Sequence, residues 1–88
     1  MWGHLKIFEK IINHKINTIT GKELLKYGKQ FQISLSGEQA NKIAGYLRGK
    51  NFNIFNEAER ARIIGEIAKI TSPETAKEIN RVFMGFVK

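Results

Sequence analysis

The side chains available for chemistry in this chain are mainly cations. Fifteen Lys and Arg residues stand against eight acidic residues, all of them glutamate, and the net charge is +7 over 88 residues. Cysteine and aspartate are absent, so nucleophilic catalysis would lack both a thiol and an aspartate to orient a histidine base. His4 and His14 would fall on different sides of one helix and do not form a metal pair. We therefore expect a protein that is not an enzyme and that uses no metal or cofactor.

The cations are concentrated in the first half of the chain. Residues 1–50 hold nine Lys and Arg against three Glu, whereas residues 51–88 hold six against five. Lys22, Lys26 and Lys29 are four and three residues apart, so on a helix they would form one basic stripe. With further cations near the expected loops, this stripe is a candidate contact for an anion or for nucleic-acid phosphates. The full set is Lys15, Lys22, Lys26, Lys29, Arg48 and Lys50. A solvated helix face is the alternative explanation.

The last apolar run offers a different kind of surface. A small domain that exposes such a patch docks a partner protein or associates with itself. The alternative is that this segment closes the hydrophobic core. The candidate docking residues are Val82, Phe83, Met84, Phe86 and Val87.

Five amphipathic helices are predicted to position these residues. Apolar residues at a 3.6-residue period indicate the first helix over about residues 3–14. Ser72 followed by Pro73 at the first helical position opens the fifth. The second, third and fourth each begin at a pair with capping-box spacing. The pairs are Thr20 with Glu23, Ser36 with Gln39, and Asn56 with Glu59.

The chain also repeats itself with a spacing of 36 residues. Each unit has a short connector between its two helices, and in these connectors, Ile16–Ile19 and Phe52–Phe55, apolar and polar residues alternate. Alternation is typical of a strand, although each connector is too short to be stable alone. We expect the two connectors to lie side by side as a small antiparallel ribbon. Ile16, Ile19, Phe52 and Phe55 would then lie where the four repeat helices meet.

The first unit resembles an EF-hand. The stretch Thr18–Leu24 is similar to the end of an EF-hand loop that runs into its exiting helix, and the resemblance implies paired helix-loop-helix units over about residues 5–70. A calcium loop needs Asp or Asn at alternating positions and a bidentate Glu. The expected ligand positions here carry residues such as Ile12, His14 and Ile16. We expect no calcium binding.

The sequence as a whole resembles a small uncharacterised family of bacterial proteins of the Bacillus type. The resemblance is carried by Asn13–Thr20, Leu47–Phe55 and Pro73–Lys77. It implies a bacterial, cytoplasmic protein and says nothing about mechanism. A helix-turn-helix formed by Glu23–Gln32 and Ser36–Leu47 is a further alternative, but its second helix would present Glu38 to the phosphates.

These observations lead to one expected architecture and two functions. The fold is all-α, a single domain over residues 1–88, with EF-hand-like units at about 3–35 and 36–71 and a C-terminal helix at about 72–88. The expected function is a non-catalytic module that binds a protein partner, with self-association through the C-terminal helix as a possibility. The alternative is a nucleic-acid-binding accessory protein that uses the basic first half. No apolar run approaches the roughly 18 residues that span a membrane, and we expect no membrane partner.

Overall fold

Five α-helices account for most of the chain. The computed structural model describes the backbone of residues 2–87 and the side chains of residues 7–87, so the His4 side chain lies outside the description. The helices are α1 (Trp2–Thr18), α2 (Gly21–Gln30), α3 (Gly37–Leu47), α4 (Glu57–Ile70) and α5 (Pro73–Val87). Residues 2–87 contain no β-strand. The predicted all-α class is therefore confirmed.

Capping boxes start α2 and α3 where the sequence predicts them. At α2, the Thr20 hydroxyl accepts from the Glu23 N–H at 3.1 Å, and the Glu23 carboxylate accepts from the Thr20 N–H at 3.1 Å. At α3, Ser36 and Gln39 make the same reciprocal pair, both at 3.0 Å. Each box satisfies backbone N–H groups that have no partner inside the helix.

Side-chain caps also begin α4 and α5. The Asn56 side chain accepts from the Glu59 N–H at 3.0 Å, and the Ser72 hydroxyl accepts from the Thr75 N–H at 3.1 Å. The Asn56 cap is not a full capping box, because the Glu59 carboxylate accepts from the Asn53 N–H instead. Pro73 occupies the first position of α5, where its missing N–H is not needed.

The end of α2 is set by backbone geometry. Gln32 has a φ of 59°, in the left-handed region. The Ile33 N–H donates to the Gly28 carbonyl at 2.7 Å and the Gln32 N–H to the Lys29 carbonyl at 3.3 Å, which is a Schellman motif. Gly28 has little room around it, because an added Cβ would lie 2.9 Å from the Ile33 carbonyl oxygen. The turn after α2 therefore packs directly on the helix.

The core is centred on α3 and α4. Helices next to each other in sequence pack together from α2 to α5, and α1 packs on α3. The largest fully buried side chains come from α3, from α4 and from the connector between them. Burying one side chain of this size stabilises the fold by about 1.5–3 kcal/mol. These side chains are Ile43, Leu47, Ile54, Ile63 and Ile67.

The two connectors do not form a ribbon, and that prediction is wrong. Residues 16–18 belong to α1, and Phe52–Phe55 is an irregular segment that turns at residues 54–55 and has no strand pairing. The Asn17 side chain bonds the backbone of Phe52, so the two regions do lie beside each other. The segment is therefore paired with a helix rather than with a strand.

The burial of the four connector residues is uneven. Ile19 and Phe52 are buried, whereas Ile16 and Phe55 are half-buried against the core. Ile54 is fully buried, although the repeat alignment favoured Phe55 for the inner position. The EF-hand-like units and the repeat thus stay predictions, because the described connectors differ in conformation.

Candidate functional site

Two asparagines on one face of α1 hold the connector between α3 and α4. The Asn17 side chain accepts from the Phe52 N–H and donates to the Phe52 carbonyl, both at 2.8 Å. One turn earlier, Asn13 accepts from the Ile54 N–H at 3.0 Å and donates to the Asn53 side chain at 2.9 Å. A side-chain amide carries the same donor and acceptor as a peptide group. These two amides therefore supply the hydrogen bonds that a neighbouring strand would supply.

Residues of α4 and its cap satisfy the rest of the connector backbone. The Asn53 N–H donates to Glu59 at 3.0 Å, and Arg60 donates to the Ile54 carbonyl at 2.9 Å. The Asn56 N–H donates to the Asn53 carbonyl at 3.1 Å. All backbone donors and acceptors of residues 52–54 are thus paired, as buried backbone requires. This arrangement fixes α1 against the α3–α4 body.

An apolar groove lies on the other side of α1. It is a cavity of about 260 Å³ walled by α1, α2 and α5, with α3, α4 and the α2–α3 connection beneath it. An engineered apolar cavity of roughly 150 Å³ takes up benzene, so this one has room for one or two large apolar side chains. The lining residues are Ile12, Lys15, Ile16, Ile19, Leu24, Tyr27, Gly28, Gln30, Phe31, Ile33, Leu35, Ile43, Leu47, Ile67, Ile79, Val82, Phe83 and Phe86.

The mouth of the groove is marked by exposed residues. Lys15, Gln30 and Phe31 line the cavity and are exposed, and Phe31 keeps 51% of its surface accessible. Ile11 and Ile7, 61% and 58% exposed, precede Lys15 at four-residue steps. Side chains four residues apart lie in one row on a helix. Two exposed isoleucines, about 6 Å apart along the axis, therefore form a short apolar row on α1 that leads to Lys15 at the groove.

Phe8 connects the outer part of α1 to the last helix. Its ring lies 6.3 Å from that of Phe55 and 6.4 Å from that of Phe86. Phe8 is nevertheless 43% exposed. The apolar surface around the groove thus continues from α1 toward α5.

One ion pair joins the α1 and α2 walls. Lys15 is paired with Glu23, and their side chains are 46% and 34% exposed. The hydrogen bond from Lys15 lowers the pKa of Glu23, with the Thr20 N–H adding to the effect. The same bond raises the pKa of Lys15. The two carboxylate oxygens have different partners, because Oε1 closes the capping box and Oε2 meets Lys15.

The predicted docking residues divide between two environments. Val82, Phe83 and Phe86 line the groove, and Phe83 is also buried in the core. Met84 and Val87 are half-buried and are not part of the lining. The C-terminal helix thus contributes to the core and also walls the groove, and the docking of a partner on it stays a prediction.

The predicted anion-contact residues are not brought together at one site. Lys22, Lys26 and Lys29 are exposed on α2, centred about 165° around the helix from its groove-lining residues. Arg48 and Lys50 are exposed in the turn after α3. The basic stripe and the groove are therefore separate surfaces.

The turn after α3 lies against the end of α1. The Gly49 N–H donates to the Asn17 carbonyl at 3.3 Å. Lys50 places its ammonium 4.0 Å from the centre of the Tyr46 ring, a cation–π contact. Lys15, two residues before Asn17, points to Glu23 instead.

Sequence reasoning missed the α1 and α2 walls of the groove. The apolar faces of both helices were visible from periodicity, but periodicity does not say which part of a face a neighbour leaves uncovered. The signal that could have found the α1 wall is the width of its apolar face, since Ile7, Ile11 and Ile12 together exceed one helix-packing stripe.

Two other kinds of site are not found among the described residues. In that part of the chain, no group of three or more His, Cys, Asp or Glu side chains is placed to hold a metal ion. Among the helices described, none has the length and apolar character to cross a membrane.

Comparison with known proteins places the chain in a bacterial family. A family model described as "Protein of unknown function (DUF2624)" matches residues 5–87. The "Uncharacterized protein YqfT" of Bacillus subtilis (strain 168) is 48% identical over 80 residues, which cover 91% of this chain and 95% of that protein. No solved structure matches significantly. The expected Bacillus-type family is therefore confirmed, and the chain belongs to the DUF2624 family.

Proposed function

We propose that this protein is a non-catalytic interaction module whose groove binds an amphipathic helix of a partner protein. The observation that carries the proposal is the cavity of about 260 Å³ between α1, α2 and α5, with exposed apolar residues at and beside its mouth. Helix-in-groove recognition uses apolar anchors at i, i+3 or i+4, and i+7 on the bound helix.

The apolar surface beside the groove favours a helix over a small molecule. A compact ligand inside the cavity would leave Ile7 and Ile11 in water. A helix lying across the mouth would place anchors in the cavity and cover the row that leads to it. Removing this exposed apolar surface from water stabilises a complex by about 25 cal/mol per Å² before the costs of association.

An NMR titration tests the proposal. The probe is a 16-residue helical peptide with Leu and Phe at the anchor positions and neutral polar residues elsewhere. We expect chemical-shift changes at Ile11, Tyr27, Phe31 and Val82. Replacing Phe31 with Ser should abolish binding, whereas replacing Lys29 with Gln should leave it unchanged. Absence of shift changes around the groove would overturn the proposal.

A second candidate function rests on the basic stripe. Lys22, Lys26 and Lys29 are exposed on one face of α2, and phosphate contacts by such a stripe release counterions. A gel shift with DNA and with RNA, repeated at increasing salt, tests this function. Binding that weakens steeply with salt and is lost when the three lysines become Gln would support it. No shift at low salt with either nucleic acid would exclude it.

A further inference from the structure

Aromatic rings line two walls of the groove. Tyr27 and Phe31 line it from α2, and Phe83 and Phe86 line it from α5. In the part of the chain that the structure describes, α2 and α5 do not pack on each other, so the cavity separates the two pairs of rings. A flat side chain that enters the cavity could therefore contact rings of both walls. Aromatic pairs in edge-to-face or offset arrangements stabilise a complex beyond the effect of the buried area.

The lining of the groove offers no unpaired charge. Among the described residues that line it, Lys15 is the one with a charged side chain, and its ammonium is paired with Glu23. A carboxylate or an ammonium placed in the cavity would lose its hydration without gaining a free partner, and this raises the free energy of the complex. The side chain that complements this lining in charge is therefore uncharged.

The volume of the cavity distinguishes among uncharged side chains. A cavity of roughly 150 Å³ accommodates the six carbons of benzene. In proportion, the nine heavy atoms of indole need roughly 225 Å³, and the four side-chain carbons of leucine need roughly 100 Å³. The cavity of about 260 Å³ thus fits one indole, whereas one leucine would leave more than half of it empty. Empty space deprives the lining of dispersion contacts.

The free hydrogen-bonding groups of the lining lie where solvent reaches them. Among the described residues, no buried side-chain nitrogen or oxygen lacks a partner. Gln30 lines the cavity and is exposed at its mouth. Its side-chain carbonyl can accept a hydrogen bond from a donor that enters beside it. An indole fits this arrangement, because its rings are apolar and its single N–H lies at their edge.

We infer that the helix bound in the groove is anchored by a tryptophan, whose rings fill the cavity and whose indole N–H donates to the Gln30 side chain. The inference rests on the function proposed above and adds the identity of the anchor. Phenylalanine would fill less of the cavity and has no donor for Gln30. Tryptophan is also enriched among the residues that dominate binding at interfaces, where it fills desolvated pockets.

Three helical peptides that differ at one anchor position test the inference. The central anchor is Trp, 3-benzothienylalanine or Leu, the other anchors are Leu, and binding to the full chain is followed by fluorescence anisotropy. Benzothienylalanine keeps both rings of Trp but has sulfur in place of the N–H. We expect the Trp peptide to bind about tenfold more tightly than the Leu peptide and about threefold more tightly than the benzothienylalanine peptide, since an aromatic contact or a hydrogen bond each adds roughly 2- to 10-fold.

Salt dependence tests the uncharged character of the contact. Between 50 and 500 mM NaCl, the affinity for the Trp peptide should change by less than about twofold, because salt screens charges and this complex forms no new ion pair. A tenfold loss of affinity over that range would overturn an uncharged anchor contact.

Matched variants locate the anchor. Gln30→Met removes the amide at similar size and should make the Trp and benzothienylalanine peptides bind equally. Lys29→Gln changes the neighbouring residue, which is not part of the lining, and should preserve the threefold ratio. Intermolecular NOEs should join the indole protons to the side chains of Tyr27 and Phe83. A bound Trp peptide without these NOEs would overturn the placement of the indole.

The remaining outcomes separate the two proposals. A Leu peptide that binds as tightly as the Trp peptide, with loss of binding in Phe31→Ser, would leave the groove function standing and overturn the tryptophan anchor. No binding of any of the three peptides would overturn both. Sedimentation that shows a dimer at micromolar concentration, broken by Phe31→Ser, would identify a second copy of this chain as the occupant and overturn the anchored partner helix.

Discussion

The two faces of α1 differ in what covers them. One face presents Asn13 and Asn17, about 130° around the helix from the groove-lining residues, and bonds the backbone of the α3–α4 connector. The other face presents Ile7 and Ile11 to solvent and walls a cavity. The polar face is closed, because the connector covers it, and the apolar face is open to solvent. The asparagines thus hold the connector in the fold, whereas the exposed isoleucines make no such contact and are available to the helix partner proposed above.

The largest expected effect lies on the closed side, at Ile54. This side chain has no accessible surface and belongs to the central core. Ile54→Ala should lower the free energy of unfolding by about 2–5 kcal/mol, because a cavity replaces the lost methyl groups. Chemical denaturation measures the change. A loss below 1 kcal/mol would mean that the connector is not held in the core.

The next effect tests the amide pairing directly. Asn17→Ala leaves the Phe52 N–H and carbonyl without their partner, which should cost about 2–3 kcal/mol. His14→Ala, on an exposed position of the same helix, is the matched control and should change stability by less than about 0.5 kcal/mol. Equal effects of the two substitutions would show that the asparagine acts only through helix propensity.

Capping residues predicted the helix starts correctly, because a helix start is set by contacts between residues close in sequence. The boxes at Thr20 and Ser36 fix the starts of α2 and α3 because their partners lie three residues away. The end of α1 was predicted four residues too early, since the 16–19 alternation resembles a strand. The helix continues because Asn17 bonds a segment 35 residues away, and no local pattern records that bond.

The site was predictable only in part for a related reason. The apolar run of α5 indicated Val82, Phe83 and Phe86, three of the residues that line the groove. Which faces of α1 and α2 stay uncovered depends on where α5 lies, and this is a property of the packed chain. Gln32, next to Phe31, has a left-handed backbone conformation. Because the residue is not a glycine, the sequence carries no signal for this turn.

A smaller effect is expected on the open side. Ile11→Ala should change the free energy of unfolding by less than about 0.5 kcal/mol, because the side chain is 61% exposed. The same substitution should weaken binding of the helical probe peptide. Stability by denaturation and affinity by anisotropy together measure the contrast. A loss of stability comparable to that of Asn17→Ala would mean that the α1 row is already covered in the free protein.

The smallest effect concerns the ion pair between the two walls. Glu23→Gln keeps a residue that can close the capping box but removes the charge that meets Lys15. Because the folded pKa of Glu23 is lowered, its contribution is present above the unfolded pKa of about 4.3 and disappears as pH falls. The difference in melting temperature between wild type and Glu23→Gln should be small at pH 7.

That difference should shrink as the pH is lowered through the folded pKa of Glu23, because the wild-type carboxyl becomes protonated there. The pKa of Lys15 is raised, so its contribution is present below the unfolded pKa of about 10.4 and is lost as pH rises through the folded pKa. A difference that stays unchanged as the pH is lowered would assign the effect of Glu23→Gln to the cap and not to the charge.

The order in which the helices pack has a kinetic consequence. From α2 to α5 each helix packs on the next one in sequence, whereas α1 is joined to α3 and to a connector 35–41 residues away. Local contacts close faster than distant ones, so α1 should dock last and open first. Native-state hydrogen exchange should then show the α1 amides exchanging at lower opening free energy than those of α3 and α4.

Because the groove exists only when α1 is docked, a bound helix should slow exchange in α1 as the concentration of that helix rises. Recognition and the last step of folding would thus be one equilibrium in this protein.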